Sequence, residues 1–395
     1  MLTPVDLFQS PNKLVKHYSR FRVDERLLLT GHSHQAWPDC GLEGQKQAWL
    51  DAAEFVDEKW QRAFAKAELV GSGFARLLDD ENGIIALAGN THELVIRFLS
   101  ALPLKQRPKI VTTDGEFHTI RRQLDRLAEE EVKIVKVAAY PASSVSNRLA
   151  DTVNDHTAAV LVSSVYFKKA HIVPGLSHVL EACTRVGAEL LIDVYHTLNI
   201  VPFSIKKENL QQAFVVGGGY KYCQLGEGNC FLRFPKDCQM RPVVTGWFSE
   251  FDALTDKTNR LSYGKGPARF AGATYDPTSH YRAAEVFAFF DKHQLTPEFL
   301  RKVSQHQVGL LQQLFDNLDA DPKIISRDHS IPLKNIGGFL SLQSPQAESL
   351  SQQLREHGML TDYRGETLRL GPAPYLSDDQ LGSAIEILGE IIRNF

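Results

Sequence analysis

Two residues of opposite charge stand out because each closes or follows an apolar run. Asp193 ends Glu189-Leu-Leu-Ile-Asp193, and Lys221 follows Ala213-Phe-Val-Val-Gly217 and a short Gly-Gly-Tyr220 turn. One short crossover separates the two runs. If both are strands of one parallel sheet, both side chains emerge on its carboxyl edge, where such sheets place reactive groups. A lysine amine there can condense with an aldehyde, and an aspartate can pair with a protonated ring nitrogen, turning a heterocycle into an electron sink. Each residue alone has an ordinary reading: Asp193 as a strand-end turn residue, Lys221 as a solvated loop lysine. Further groups shift the balance. Gly89-Asn90-Thr91 lies between a strand-like and a helix-like run, and the free N–H groups of a helix start suit a phosphate. Asn90 and Thr91 serve equally as N-caps. Phe117 follows the next strand, placed to stack on an aromatic ring or to join the core. Gly217-Gly-Gly219 allows close backbone approach to a flat ligand, or makes a turn.

The elements that must position these residues alternate strand and helix from about residue 84. Strands are expected at Ile84–Gly89, Lys109–Asp114, Val132–Val137, Ala158–Ser164, Glu189–Asp193 and Ala213–Gly217. Helices are expected at His92–Leu102, Thr119–Glu131 and Leu176–Val186, the last stopping at Gly187. The strand runs are nearly all apolar, as strands buried on both faces must be. The expected fold class is therefore α/β, a mostly parallel sheet with helices on both faces. A Gly/Pro-rich stretch, Tyr263–Gly272, reads as a long connection. Beyond it come helices at Ser279–His293 and Pro297–Leu318, then Gly338–Leu342 (strand), Ala347–His357 (helix), Leu360–Tyr363 and Thr367–Leu370 (strands), and Asp378–Ile392 (helix). Ser377 with Gln380 forms a candidate capping box for that last helix. The organisation expected is an N-terminal segment 1–30, a large domain 31–265 and a smaller α+β C-terminal domain 266–395.

Composition excludes several classes. With 395 residues, 43% hydrophobic and 23% charged, the chain has a real core and is long enough for two domains. A net charge of -3 offers no nucleic-acid footprint, and no apolar run is long enough to span a bilayer. The N-terminus lacks a secretory pattern. Five scattered cysteines suit neither a disulfide framework nor a zinc site. The expected location is the cytoplasm. His32-Ser-His34 has no third ligand nearby, so no metal is expected. Gly71-Ser-Gly73 follows a helical, charged stretch rather than a strand, which argues against a dinucleotide fingerprint.

The blocks Asp193-Val-Tyr-His196 and Gly219-Tyr220-Lys221-Tyr222 resemble fold-type I pyridoxal-phosphate enzymes of aminotransferase class V, and within it most of all the kynureninases. Gly246-Trp247-Phe248, Asp362-Tyr-Arg364 and Leu368-Arg369-Leu-Gly-Pro372-Ala-Pro374-Tyr375 resemble further kynureninase blocks, and Leu29-Thr-Gly31-His-Ser33 is a weaker echo of another. The resemblance runs from about Leu29 to the C-terminal helix. It implies pyridoxal phosphate as cofactor, with Asn90 and Thr91 on its phosphate, Phe117 stacked on the ring and Asp193 on the ring nitrogen. His196 would lie beside the phenolic oxygen. Tyr220 would bind phosphate and relay protons, Lys221 would carry the cofactor, and Arg369 would clamp the substrate α-carboxylate. Trp247 and the turn Gly272-Ala-Thr274 would reach the phosphate of a neighbouring subunit, so a homodimer with sites at the subunit interface is implied. His32, Ser33 and His34 would face a small-molecule amino-acid substrate, and the reaction implied is hydrolytic cleavage of a carbon–carbon bond, giving alanine plus an acid.

The departures lie on the substrate side. His32 and His34 replace an Asn and a Leu, and Phe270-Ala-Gly-Ala-Thr274 lacks the family amide. Around Glu54 to Trp60 there is no histidine for the substrate ring. A class V aminotransferase or lyase needs the same Lys221, Asp193 and Arg369 and is the alternative. A cysteine desulfurase needs a mobile thiol in the C-terminal half, yet no cysteine follows Cys238. A non-catalytic regulator built on the same scaffold would carry an appended domain, for which the segment before Leu29 is too short.

Overall fold

The computed structural model describes residues 2–80, 82–254 and 261–393. At its centre is a seven-stranded sheet: β1 (Ile84–Ala88), β2 (Lys109–Thr113), β3 (Lys133–Val137), β4 (Thr157–Ser163), β5 (Glu189–Asp193), β6 (Phe214–Gly218) and β7 (Cys230–Phe234). Their spatial order is β1-β7-β6-β5-β4-β2-β3. The run from β6 to β3 is parallel, and β7 is antiparallel to both its neighbours. Pleating sends alternate residues to opposite faces: Leu190, Ile192, Val160 and Val162 enter one core cluster, Leu191, Ala159 and Leu161 the other. β2, β4 and β6 are buried along their whole length. Helices Thr91–Ser100, His118–Ala128, Val145–Thr152 and Leu176–Val186 make the crossovers from β1 through to β5. The last of them ends at Gly187 with φ 69°, the left-handed stop expected there. The α/β architecture read from the alternation is the one adopted.

β7 is an addition to the expected series. Arg233 interrupts its apolar pattern, and the fold buries that charge by pairing it with Asp80 Oδ2 at 2.6 Å and with the carbonyls of Gln211 and Ala213. Before β1, helices Cys40–Phe55 and Lys59–Leu77 pack against the helix Thr278–His293. Gly73 lies inside the second of these, where a Cβ would come within 2.6 Å of the Phe287 ring. It serves helix packing. The Tyr263–Gly272 connection contains a 3₁₀ turn, Gly266–Phe270, that plants Phe270 in the core.

A second sheet of four antiparallel strands follows, in the order Asp362–Arg364, Thr367–Leu370, Leu340–Gln343, Ser326–Arg327. The helices Pro297–Asp316 and Ala347–Glu356 pack on it, and Asp378–Ile392 packs against both of these helices. The Ser377/Gln380 capping box is formed. The expected strand Leu360–Tyr363 divides: Met359–Leu360 pairs in parallel with Leu27–Leu28, while Asp362–Arg364 pairs with Thr367–Leu370. A parallel bridge from Thr30 to Gly371 then joins the same N-terminal segment to the end of Thr367–Leu370. The loop carrying His32 is thereby stitched beside the strand carrying Arg369. Among the described residues no helix is long and apolar enough to cross a membrane.

Candidate active site

The carboxyl ends of β1, β2, β4, β5 and β6 open on one edge of the large sheet, and the start of antiparallel β7 returns to the same edge. A cavity of about 350 Å³ lies there. Asn90, Thr91, Phe117, Asp193, His196, Tyr220 and Lys221 all line it. Seven residues chosen from sequence, scattered over more than a hundred positions, are thus gathered by one sheet edge.

Asp193 ends β5, and its Oδ1 accepts the Tyr195 N–H at 2.8 Å. Burial pushes its carboxyl upward, while that hydrogen bond and the Lys221 charge pull it down. Lys221 follows β6 and is only 6% exposed. Burial pushes its amine well below the usual lysine range, against the pull of Asp193. Its Nζ lies 2.7 Å from His196 Nε2, 5.4 Å from the Phe117 ring centroid and 4.7 Å from that of Tyr195. Burial and the neighbouring Lys221 hold His196 well below the usual histidine range. Its Nδ1 is buried with no hydrogen-bond partner among the described residues. Burial raises the Tyr220 phenol to about 12, so it keeps its proton.

Asn90 caps the helix Thr91–Ser100, its side chain accepting the Glu93 N–H at 2.9 Å. The ordinary capping role and a place on the cavity wall are therefore combined. Phe117 packs edge-on against Phe167, with centroids 5.2 Å apart. The triple glycine answers to packing: a Cβ on Gly218 would lie 2.3 Å from Tyr195 Oη, and one on Gly219 2.5 Å from Leu225.

The residues assigned to substrate and to a second subunit lie off the cavity wall. His34 is exposed, stacked on Tyr220 at 4.8 Å, with Ser33 Oγ 3.1 Å from its Nδ1. His32 is wholly buried, and Arg369 spends one two-pronged edge on Asp362. Trp247 is 44% exposed beside Phe248 and Phe251. Gly272 is tied to that segment through its carbonyl, which accepts the Phe248 N–H at 3.0 Å, and Thr274 is exposed.

Sequence reasoning passed over Ser163, Tyr195 and Cys230 on the cavity wall, and Glu116 behind it. Ser163 and Tyr195 stand at or just past strand ends, so the strand-edge rule applied to every strand would have found them. Cys230 opens the strand that was not anticipated. The Cys230 thiol is raised by burial to about 11 and lies 3.5 Å from Tyr195 Oη, a poor setting for a thiolate nucleophile.

No family model matches the chain. It is 25% identical to the kynureninase of Pseudomonas fluorescens, across 94% of this chain and 91% of the relative. To the kynureninase of Geobacillus thermodenitrificans (strain NG80-2) it is 21% identical, across 91% of this chain and 83% of the relative. Among solved structures, a mutant of the cystine C–S lyase C-DES, with glycine covalently linked to its pyridoxal-phosphate cofactor, matches with TM-score 0.82 at 15% identity. That match covers 95% of this chain and 98% of the other. An apo cysteine desulfurase from Thermococcus onnurineus NA1 matches with TM-score 0.81 at 16% identity, over 100% and 99%. The chain has the fold of these proteins, the fold-type I architecture.

Proposed function

We propose that the chain is a pyridoxal-phosphate enzyme that cleaves a γ-keto L-amino acid hydrolytically, as kynureninases do, releasing alanine and an acid. One observation carries this reading: among the described residues, Lys221 is a buried amine whose close polar partner is an imidazole, not a carboxylate. Burial shifts such a lysine towards its unprotonated form, which is the form that attacks an aldehyde. The surrounding groups fit the cofactor. Asp193 stands for the ring nitrogen, Phe117 for the ring face, and the N–H groups at the start of the helix Thr91–Ser100 for the phosphate.

When bound, the cofactor supplies an aldehyde carbon for the amino group and a protonated ring that draws electrons from the α-carbon. Asp193, kept in place by the Tyr195 N–H, would hold the proton on the ring nitrogen. Lys221 Nζ would hold the cofactor and would be the base for the substrate's α-proton. His196, kept neutral by burial, leaves Nε2 free to accept from Nζ when its own proton sits on Nδ1. Tyr220 Oη donates a proton and recovers it. Arg369 receives the α-carboxylate. The exposed aromatic side chains of Trp247 and Phe251, with exposed Val243 and Val244, support a homodimer in which this surface meets a second copy.

The test is a product analysis of the purified, cofactor-loaded protein with L-kynurenine, 3-hydroxykynurenine and common amino acids. Alanine formed without any keto acid is expected. Strict dependence on pyruvate or 2-oxoglutarate would replace this reading with an aminotransferase. Borohydride should fix the cofactor on Lys221, and Lys221→Ala should lose both the fixed cofactor and turnover. Fixation on another lysine would overturn the assignment.

A further inference from the structure

Asp362 stands at the centre of a buried polar cluster that joins the N-terminal loop to the second sheet. Register dictates its main contact, since Asp362 and Arg369 are directly opposite on antiparallel strands, where side chains share a face. Asp362 Oδ1 accepts from Arg369 Nε at 2.8 Å and from His32 Nε2 at 2.7 Å. Its Oδ2 accepts from Arg369 Nη2, with Arg364 Nη2 at 3.4 Å. Arg369 Nη1 donates to the Phe167 carbonyl at 2.6 Å, and the guanidinium lies 5.6 Å from the Phe339 ring centroid. Phe167 is itself part of the cavity wall.

A guanidinium has five N–H donors in a rigid fork. Asp362 takes the Nε/Nη2 edge and Phe167 one donor on Nη1. Among the described residues, one N–H on each of Nη1 and Nη2 has no partner. His32 contributes a hydrogen bond without a charge, because burial, and then the Arg369 cation, hold its imidazole down to about 4. It therefore steadies Asp362 without competing with Arg369 as a cation. Arg364 and the two donors on Asp362 together spread the carboxylate charge, so a second carboxylate can approach the guanidinium.

We propose that Asp362, steadied by His32, is the positioning residue of the substrate-carboxylate site: it holds Arg369 by one edge and leaves the other for the α-carboxylate of an amino acid. This rests on the reading above that Arg369 receives that carboxylate. It gives His32, a departure from the family pattern, a place behind the arginine rather than against the substrate.

The experiment titrates cofactor-loaded protein with L-alanine and with L-alaninamide, reading the change in cofactor absorbance. The ratio of the two affinities reports the carboxylate contact. The unaltered protein should prefer alanine about 10-fold or more, the scale of a charge-assisted pair. In Asp362→Asn the ratio should fall to about 2-fold or less. That variant leaves a buried guanidinium short of its counter-charge and risks unfolding, so His32→Leu serves as the second variant, with a smaller loss. His32→Gln, which keeps a donor, should retain the ratio. An undiminished ratio in either folded variant, Asp362→Asn or His32→Leu, overturns the proposal. Equal losses in the Leu and Gln variants trace the effect to packing and overturn it too. Absence of any preference in the unaltered protein overturns the reading of Arg369 itself, and this proposal with it.

Discussion

Glu116 buries a carboxyl between two hydroxyls directly behind the cavity: its Oε1 accepts from Thr113 Oγ1 at 2.6 Å and its Oε2 from Ser163 Oγ at 2.5 Å. Ser163 and Asp193 are register partners on β4 and β5. Burial raises the Glu116 carboxyl to about 7; the two hydroxyls pull it down and the Asp193 charge pushes it further up. Tyr140 and Tyr166 feel its charge in turn, and Asp114 precedes it by two residues. An unfolded glutamate titrates near 4.5. Between that value and about 7 the folded chain binds more protons than the unfolded one, so this group's contribution to stability is full below the window and falls as pH rises through it. The whole shift corresponds to roughly 3 kcal/mol. Glu116→Gln removes the titration, so its stability relative to the unaltered protein should rise by up to about 3 kcal/mol between pH 4.5 and 8 in urea unfolding. A difference that stays constant over that range would show that Glu116 is ionised throughout. Nothing in the sequence marked this residue, since a glutamate after Asp114-Gly115 reads as a solvated turn. The places of Asp193 and Lys221 on one cavity wall were legible because residue type and strand-end position together mark the sheet edge. The tie between His32, Asp362 and Arg369 was hidden, because it depends on a strand register that no local pattern states.

At the scale of elements, the sheet edge places the groups and the glycines let it close. The parallel strands were readable because burial on both faces demands nearly unbroken apolar runs. β7 was not, because its Arg233 finds a buried counter-charge in Asp80, far away in sequence. The split at Leu360–Tyr363 was equally out of reach, since its halves pair with strands from opposite ends of the chain. Gly218 shows how tightly the edge is built. A Cβ there would meet Tyr195 Oη at 2.3 Å and Cys230 Sγ at 2.6 Å, and Tyr195 is the residue whose N–H holds Asp193. Gly218→Ala should therefore destabilise by about 1–3 kcal/mol through overpacking and weaken cofactor retention by shifting Asp193. Gly382 is the control. It lies in the helix Asp378–Ile392, and a Cβ there would meet nothing within 4 Å among the described residues. Gly382→Ala should stabilise by roughly 0.5–1 kcal/mol through helix propensity alone. Thermal unfolding of both variants checks the pair; equal shifts of the same sign would mean that the space around Gly218 can give.

Across the whole molecule, three buried histidines sit at the joints that hold the cavity together. His32 ties the N-terminal loop to the second sheet through Asp362. His196 lies against Lys221. His280, at the start of the helix Thr278–His293, places Nδ1 3.0 Å from Asn229 Oδ1 and Nε2 2.9 Å from Tyr275 Oη, joining that helix to the loop that carries Lys221. Burial is the leading cause in all three: it lowers His32 and His280 to about 4 and holds His196 well below its ordinary value. In the unfolded chain each titrates near 6.5. Below that pH the unfolded chain takes up protons that the folded one refuses, so the stability these groups confer is complete above 6.5 and is lost as pH falls towards 4. Glu116 works in the opposite direction over part of this window, but it is one carboxyl against three imidazoles. For His32 and His280 a shift to about 4 is worth roughly 3 kcal/mol each, and His196 acts in the same direction, against a typical total stability of about 5–15 kcal/mol. The protein should therefore unfold cooperatively and release its cofactor as pH falls from about 6 to about 4. His280→Gln keeps a donor and an acceptor but cannot be protonated, so it should move the midpoint of that acid transition to lower pH, read by far-ultraviolet circular dichroism and cofactor absorbance together. A midpoint left in place by His280→Gln would mean that protonation of this imidazole does not set the acid limit of the fold.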